Sequence, residues 1–229
     1  MNIEDRVERL NRFISEGRII RGGWFGTDEH GRETACLLGA LAPEAGEAED
    51  AYACPASVMP EWFAYITPWM DDRGSGTVWP RVVRRYASCA ARWSALDDAA
   101  WRRVEVAARR AAVVEAMSYT NQEDVLDACR EVLAWLGSGM SGPSLKIAAK
   151  AAEGDAKEAT QAAMLAAAWA AKAADVSTAA LRAAKWAVDA ALLAAADAKE
   201  ATVVAAAAQG AAADRITDAI LSALEAECG

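Results

Sequence analysis

Residues Ser144–Glu227, SLKIAAKAAEGDAKEATQAAMLAAAWAAKAADVSTAALRAAKWAVDAALLAAADAKEATVVAAAAQGAAADRITDAILSALEAE, decide the fold class. The stretch is close to half alanine, has no proline, and holds only two glycines, Gly154 and Gly210. Alanine has the highest helix propensity because it loses no side-chain entropy on folding, so the composition predicts helix almost throughout. A single rod is excluded by fresh start signals. Asp155-Ala156-Lys157-Glu158 and Asp197-Ala198-Lys199-Glu200 each place an N-cap acceptor three residues before a glutamate, and Asp175-Val176-Ser177 offers a further cap. The starts fall about twenty residues apart, a bundle-helix length. The string Asp155–Thr160 recurs as Asp197–Thr202, which predicts an antiparallel helical array built from a duplicated helix pair.

Within that array Leu165 and Trp169 mark one buried stripe. Leu181, Val188 and Leu192 mark one face of the next helix, and Trp186 and Leu193 mark another. Two apolar faces predict a central helix. Alanine buries little area, so such helices gain from close axial approach, near the lower end of about 8–10 Å. Gly210 predicts a tight crossing or a kink, and Ile216, Ile220 and Leu224 form the last stripe.

Working outward, Gly137-Ser138-Gly139-Met140-Ser141-Gly142-Pro143 reads as a linker. It divides a mainly helical, Arg- and Trp-rich region, 1–136, from the alanine-rich region, 144–229. The basic residues change there too: every one before Lys146 is arginine, whereas six lysines and two arginines follow. The chain has 229 residues and a net charge of −9, which disfavours nucleic acid as a partner. Five cysteines, odd in number and widely spaced, predict reduced thiols in a cytoplasmic protein. Charges interrupt the alanine runs within the roughly 20 residues a membrane span needs, so no membrane association is expected.

The first region predicts an all-α fold, or nearly so. Ile3, Val7, Leu10 and Phe13 with Ile14 make an amphipathic helix capped by Asn2 and closed by Gly17. Residues 18–34 are the least helical part and predict a small β-hairpin or ordered loop. Glu33–Leu41 reads as a buried helix stopped by Pro43, and Glu44–Asp50 as an acidic loop. A helix carrying Trp62, Phe63 and Ile66 is expected to end at Pro68, leaving Asp71 and Asp72 in a turn. Further helices are expected from Thr77 to about Ser94, from Asp97 to about Met117, and from the capping box Thr120–Glu123 to Gly137.

Catalytic and ligand motifs are sparse. The one histidine, His30, lies in a glycine-flanked acidic turn with no nucleophile signature beside it, so an exposed turn residue is the better reading. Cys and His do not fall at zinc-ligand spacings, and the chain has no phosphate loop, dinucleotide fingerprint or nucleophile elbow. No cofactor and no metal are expected. Two features stand out as partner-binding candidates. Arg81, Arg84, Arg85 and Arg92, with Arg102, Arg103, Arg109 and Arg110, make a basic helical hairpin over 81–110. They suit an acidic partner or a nucleic-acid backbone, or else they pair within the chain with the acidic loop Glu44–Asp50 or with acids of the tail. Trp24-Phe25, set between glycines, has little local cover and suits a partner anchor.

Cys36-Leu37-Leu38-Gly39-Ala40-Leu41-Ala42-Pro43, Cys54-Pro55-Ala56-Ser57-Val58-Met59-Pro60 and Ala213–Leu221 carry a resemblance. Together they resemble a loose group of uncharacterised bacterial and phage-borne proteins with an alanine-rich helical tail. The group has no established activity, so the resemblance implies no functional residues. The tail by itself resembles the alanine-rich helices of some immunity proteins. Size, acidity and the lack of catalytic groups favour a non-enzymatic protein-binding module, an anti-CRISPR-like inhibitor of host defence or an immunity protein. The alternatives are a nucleic-acid-associated protein using the arginine hairpin, or a hydrolase with a site near His30. Homo-oligomers through the alanine-rich helices are a further expectation.

Overall fold

The computed structural model describes residues 1–118, positions 123, 126, 127, 130, 133, 134 and 136, and residues 201–229; for 116 and 201–209 it describes the backbone alone. The expected linker, the array over 144–200 and Trp169 and Trp186 lie outside the described residues. Described residues are 69% helical, in seven α-helices with one two-stranded antiparallel sheet, so the fold is mostly α. The chain divides into two compact units. The first is Met1–Glu105 with Ile220–Gly229, and the second is Val106–Ala219.

The first unit opens with α1, Ile3–Ser15. Asn2 caps it, its Oδ1 accepting the Asp5 N–H at 2.8 Å. Gly17, at φ 68°, closes it. The N–H of Gly17 reaches the Ile14 carbonyl and that of Arg18 reaches Phe13, which satisfies the last carbonyls as a left-handed glycine cap does. Leu10 and Phe13 are buried. Strands β1, Phe25–Thr27, and β2, Glu33–Ala35, pair antiparallel in the register Phe25↔Ala35 and Thr27↔Glu33. The hairpin expected over 18–34 is therefore present. Its turn is held by Asp28, whose carboxylate accepts the N–H groups of His30 and Arg32.

Two short helices follow, α2, Leu37–Leu41, and α3, Pro43–Ala48. Three expectations are corrected here. Glu33–Leu41 is not one helix, because Glu33–Ala35 is taken into the hairpin and Cys36 caps α2, its Sγ accepting the Gly39 N–H. Pro43 does not merely end a helix. It occupies the first position of α3, where its missing N–H costs nothing. Glu44–Ala48 is accordingly helical and not a loop, and Glu49, at φ 50°, terminates it.

Helix α4, Glu61–Arg73, runs through Pro68 where an end was expected. Pro68 has no N–H to give the carbonyl four residues earlier, a loss that normally ends a helix. Here Trp62, Phe63 and Ile66 before it and Met70 after it are all buried, so packing overrides local propensity. Asp71 is consequently inside the helix and fully buried, not in a turn. Helix α5, Trp79–Ala90, buries Val82, Val83, Tyr86 and Ala90, and α6 spans Asp98–Met117. Asp97 caps α6 as expected, accepting the Ala100 N–H at 2.7 Å.

Aromatic rings fill the centre of this unit. Phe63 has its ring centroid 5.4 Å from Trp62, 5.4 Å from Trp93, 5.3 Å from Trp101 and 6.2 Å from Tyr86. Most of the ring pairs in the cluster cross edge to face, the arrangement their quadrupoles favour. The last turns of α7, Ala201–Cys228, close the unit, burying Ile220, Leu221 and Leu224 completely.

In the second unit the described part of α6 buries Ala108, Ala112 and Val113, and α7 buries Ala212, Ala213 and Ile216. Gly210 lies within α7 without ending it. Arg215 grips the buried Glu115 carboxylate with two bonds, Nε at 2.9 Å and Nη2 at 2.5 Å. A fork on both carboxylate oxygens is the geometry that offsets the cost of burying that charge.

Candidate partner-binding surfaces

The arginine set divides between the two units. In the first, α5 is amphipathic at helical period, so burying Val82, Val83 and Tyr86 turns Arg81, Arg84 and Arg85 outward. The first turns of α6 present Arg102 and Arg103 in the same way. These cations have different surroundings. Arg85 holds both oxygens of Glu225 at 2.7 Å and the Ser222 hydroxyl at 2.8 Å. Arg103 holds both oxygens of Glu227, at 2.7 and 2.6 Å. Arg92 donates to the Cys228 carbonyl at 2.9 Å, at the end of α7 where the helix dipole is negative. Hydrogen bonds from Arg85 and Arg103 hold the carboxyls of Glu225 and Glu227 below their ordinary range, and the charge of Arg81 adds to the effect at Glu225.

Arg84 is exposed and makes no hydrogen bond or ion pair among the described residues. Arg102 is exposed beside Trp62 and Trp101, in a hollow of about 490 Å³ that Pro60, Asp98 and Glu105 complete. In the second unit Arg109 is half-buried, and Arg110 donates to the Leu133 carbonyl at 3.1 Å.

Trp24 and Phe25 are half-buried. The Trp24 carbonyl accepts the Cys36 N–H at 3.1 Å, which ties the hairpin to the start of α2. Phe25 lies against α3 so closely that a Cβ on Gly46 would overlap its ring. The glycines beside this pair were visible in the sequence. The glycine that gives Phe25 its cover is twenty-one positions further on and was not. His30 is exposed, and its Nε2 lies 3.5 Å from the Glu29 carboxylate.

A groove between α1 and α5 escaped the sequence reading. Two adjoining hollows, of about 420 and 340 Å³, share Asn11 and Ala91. Ile14 and Arg84 line one end; Ile3, Glu4 and Ser94 line the other. The signal was present in α1, whose apolar set is wider than one stripe: Leu10 and Phe13 go to the core, while Ile3, Val7 and Ile14 stay half-buried at its edge.

Among the described residues no group of three His, Cys, Asp or Glu side chains is placed to hold a metal ion, and no helix is long and apolar enough to cross a membrane. Cys36, Cys54, Cys89 and Cys228 are free thiols. Burial pushes Cys36 and Cys54 up to about 11 and Cys89 up to about 12, which removes the thiolate a nucleophile needs. No protein-family model, no curated protein and no solved structure matches this chain.

Proposed function

We propose that this chain is a non-enzymatic, protein-binding helical module of a mobile element, either an anti-CRISPR-like inhibitor of host defence or an immunity protein. The observation that carries the reading is the groove between α1 and α5, an accessible surface with aliphatic, small and charged walls. Several arginines that would otherwise suit a phosphate backbone are engaged with Glu225, Glu227 and the Cys228 carbonyl. A net charge of −9 opposes approach to a polyanion. The resemblance of the Cys36–Pro43 and Cys54–Pro60 segments to phage-borne proteins supports the mobile-element origin.

Affinity capture from nuclease-treated bacterial lysate, read by mass spectrometry, tests the proposal together with DNA and RNA binding at graded salt. The expected result is stoichiometric capture of one host protein and no salt-sensitive nucleic-acid binding. Tight DNA binding that weakens steeply with salt would replace this reading with the nucleic-acid one. A turnover activity abolished by His30→Ala would replace it with the hydrolase.

A further inference from the structure

The groove between α1 and α5 is bipolar. The hollow at its Ile14 end is lined by Arg84 and Arg92, and the hollow at its Ile3 end by Glu4 and Glu8. Arg84, Glu4 and Glu8 are exposed and carry no ion pair among the described residues, so their charges face solvent. Opposite charges held apart on one surface select a partner whose charges are ordered the other way. The floor between them is uncharged: Val7, Asn11, Ala87 and Ala91. Eleven helical steps separate Ile3 from Ile14, which at 1.5 Å per residue is about 16 Å, or three turns of a helix laid alongside. Small side chains on the α5 wall, Ala87, Ser88 and Ala91, allow the close approach that a packed helix needs.

We infer that this groove receives a helical segment of a partner protein, about three turns long, with acidic residues at the Arg84 end and basic residues at the Glu4 and Glu8 end. The inference rests on the protein-binding reading and specifies the partner's chemistry. An apolar stripe of alanine or leucine at helical spacing on the segment would cover Ile3, Val7 and Ile14.

The test uses three stapled helical fourteen-residue peptides with the same alanine and leucine stripe. One has lysines at one end and glutamates at the other, one has lysines at both ends, and one has glutamates at both ends. Their affinity for the full chain is measured by fluorescence anisotropy at low and high salt. The bipolar peptide should bind the native chain best, by about tenfold at low salt, and the margin should shrink at high salt as screening sets in. Arg84→Glu with Ser88→Glu makes both ends acidic, and the preference should pass to the all-lysine peptide. Adding Glu4→Lys and Glu8→Lys reverses the groove, and the bipolar peptide, bound the other way round, should recover. Recovery of binding by added substitutions cannot come from misfolding. Equal affinity of the three peptides, absence of binding by all of them, or no change of preference in the variants overturns the inference. The two proposals fail separately: a host protein captured equally by the native chain and the Arg84→Glu/Ser88→Glu variant preserves the protein-binding reading while removing the groove from it.

Discussion

Asp71 joins three elements: one carboxylate oxygen accepts the indole N–H of Trp79 at 2.6 Å, and the other accepts the backbone N–H of Leu37 at 3.2 Å. The carboxylate thus serves an orphan donor in the first turn of α2, although it sits thirty-four residues away near the end of α4. The neighbouring strut is Arg21, which donates to the carbonyls of Asp71, Asp72 and Gly74 and so caps α4. Two ends of helices are satisfied from outside their own sequence at one place.

Burial raises the Asp71 carboxyl from 3.8 to about 6, against the lowering effect of its two hydrogen bonds. The folded state therefore holds a proton that the unfolded state has released between those values. Stability from this group is complete below pH 3.8 and is lost as pH rises through 6. Relative to an Asp71→Asn variant, the native chain should lose about 2 kcal/mol of unfolding free energy between pH 4.5 and pH 7.5. Urea titrations of both proteins at the two pH values measure the difference. Parallel pH dependence in the two proteins would mean that Asp71 titrates as an ordinary carboxyl.

Gly46 and Phe25 should be coupled. A methyl at Gly46 meets the Phe25 ring inside contact distance, so Gly46→Ala alone should destabilise by about 1–3 kcal/mol, the usual cost of overpacking. Phe25→Leu removes the obstructing ring edge and should recover much of that loss when combined with Gly46→Ala. A double-mutant cycle with no interaction energy would mean that Phe25 is not seated on α3, and its role as an exposed anchor would regain weight.

Arg6 is the buried cation of the first unit. Its guanidinium grips both oxygens of Glu44, at 2.8 and 2.6 Å, and its Nη1 also reaches the Leu41 carbonyl at 3.4 Å. Arg6→Ala should destabilise by about 2–4 kcal/mol, near the lower end for a broken buried pair because Glu44 is half-exposed and regains water. The hydrogen bond from Arg6 holds the Glu44 carboxyl down to about 2. A depressed carboxyl contributes stability that is present above pH 4.5 and lost as pH falls through 2, so the gap in unfolding free energy between the native chain and the Arg6→Ala variant should narrow as pH falls from 5 towards 2. Urea titrations of both proteins at pH 5 and at pH 2.5 read the narrowing; a gap that stays constant would contradict it.

What the sequence made legible was local. Asn2, Gly17 and Asp97 act within a turn of their own position, and the structure has each where the spacing put it. The stripe Ile216, Ile220, Leu224 is buried as its period implied. Pro68 and Pro43 misled because a proline signals only a missing donor, and the outcome depends on where that donor would have pointed. At Pro43 it pointed to the free start of α3; at Pro68 the buried aromatics on both sides outweighed the loss. Asp71, Phe25 and Glu44 have partners thirty-four, twenty-one and thirty-eight residues away, and no one-dimensional period encodes such pairings. The arginine hairpin was visible as a pattern, but its partners Glu225 and Glu227 lie at the far end of the chain, in the unit's closing helix.

Replacing Arg84, Arg85, Arg103 and Arg110 together with glutamine separates the roles left to the arginine set. Arg85 and Arg103 each hold a carboxylate of α7, while Arg84 faces solvent and Arg110 donates to a carbonyl. Exposed ion pairs are individually weak because water screens them, so the fourfold variant should show only a small fall in its urea midpoint. Glu225→Gln with Glu227→Gln should lower the midpoint by a similar amount, and combining all six changes should add little, because both sets remove the same bonds. Were the arginines phosphate ligands, the native chain would bind DNA tightly with a steep salt dependence, and the fourfold variant would flatten that slope by nearly one unit for each phosphate no longer neutralised. The expected outcome is shared destabilisation without nucleic-acid binding. Full additivity of the two variant sets would mean that the α7 carboxylates and the arginines stabilise the chain independently, and a salt-dependent mobility shift abolished by the four glutamines would assign the surface to nucleic acid.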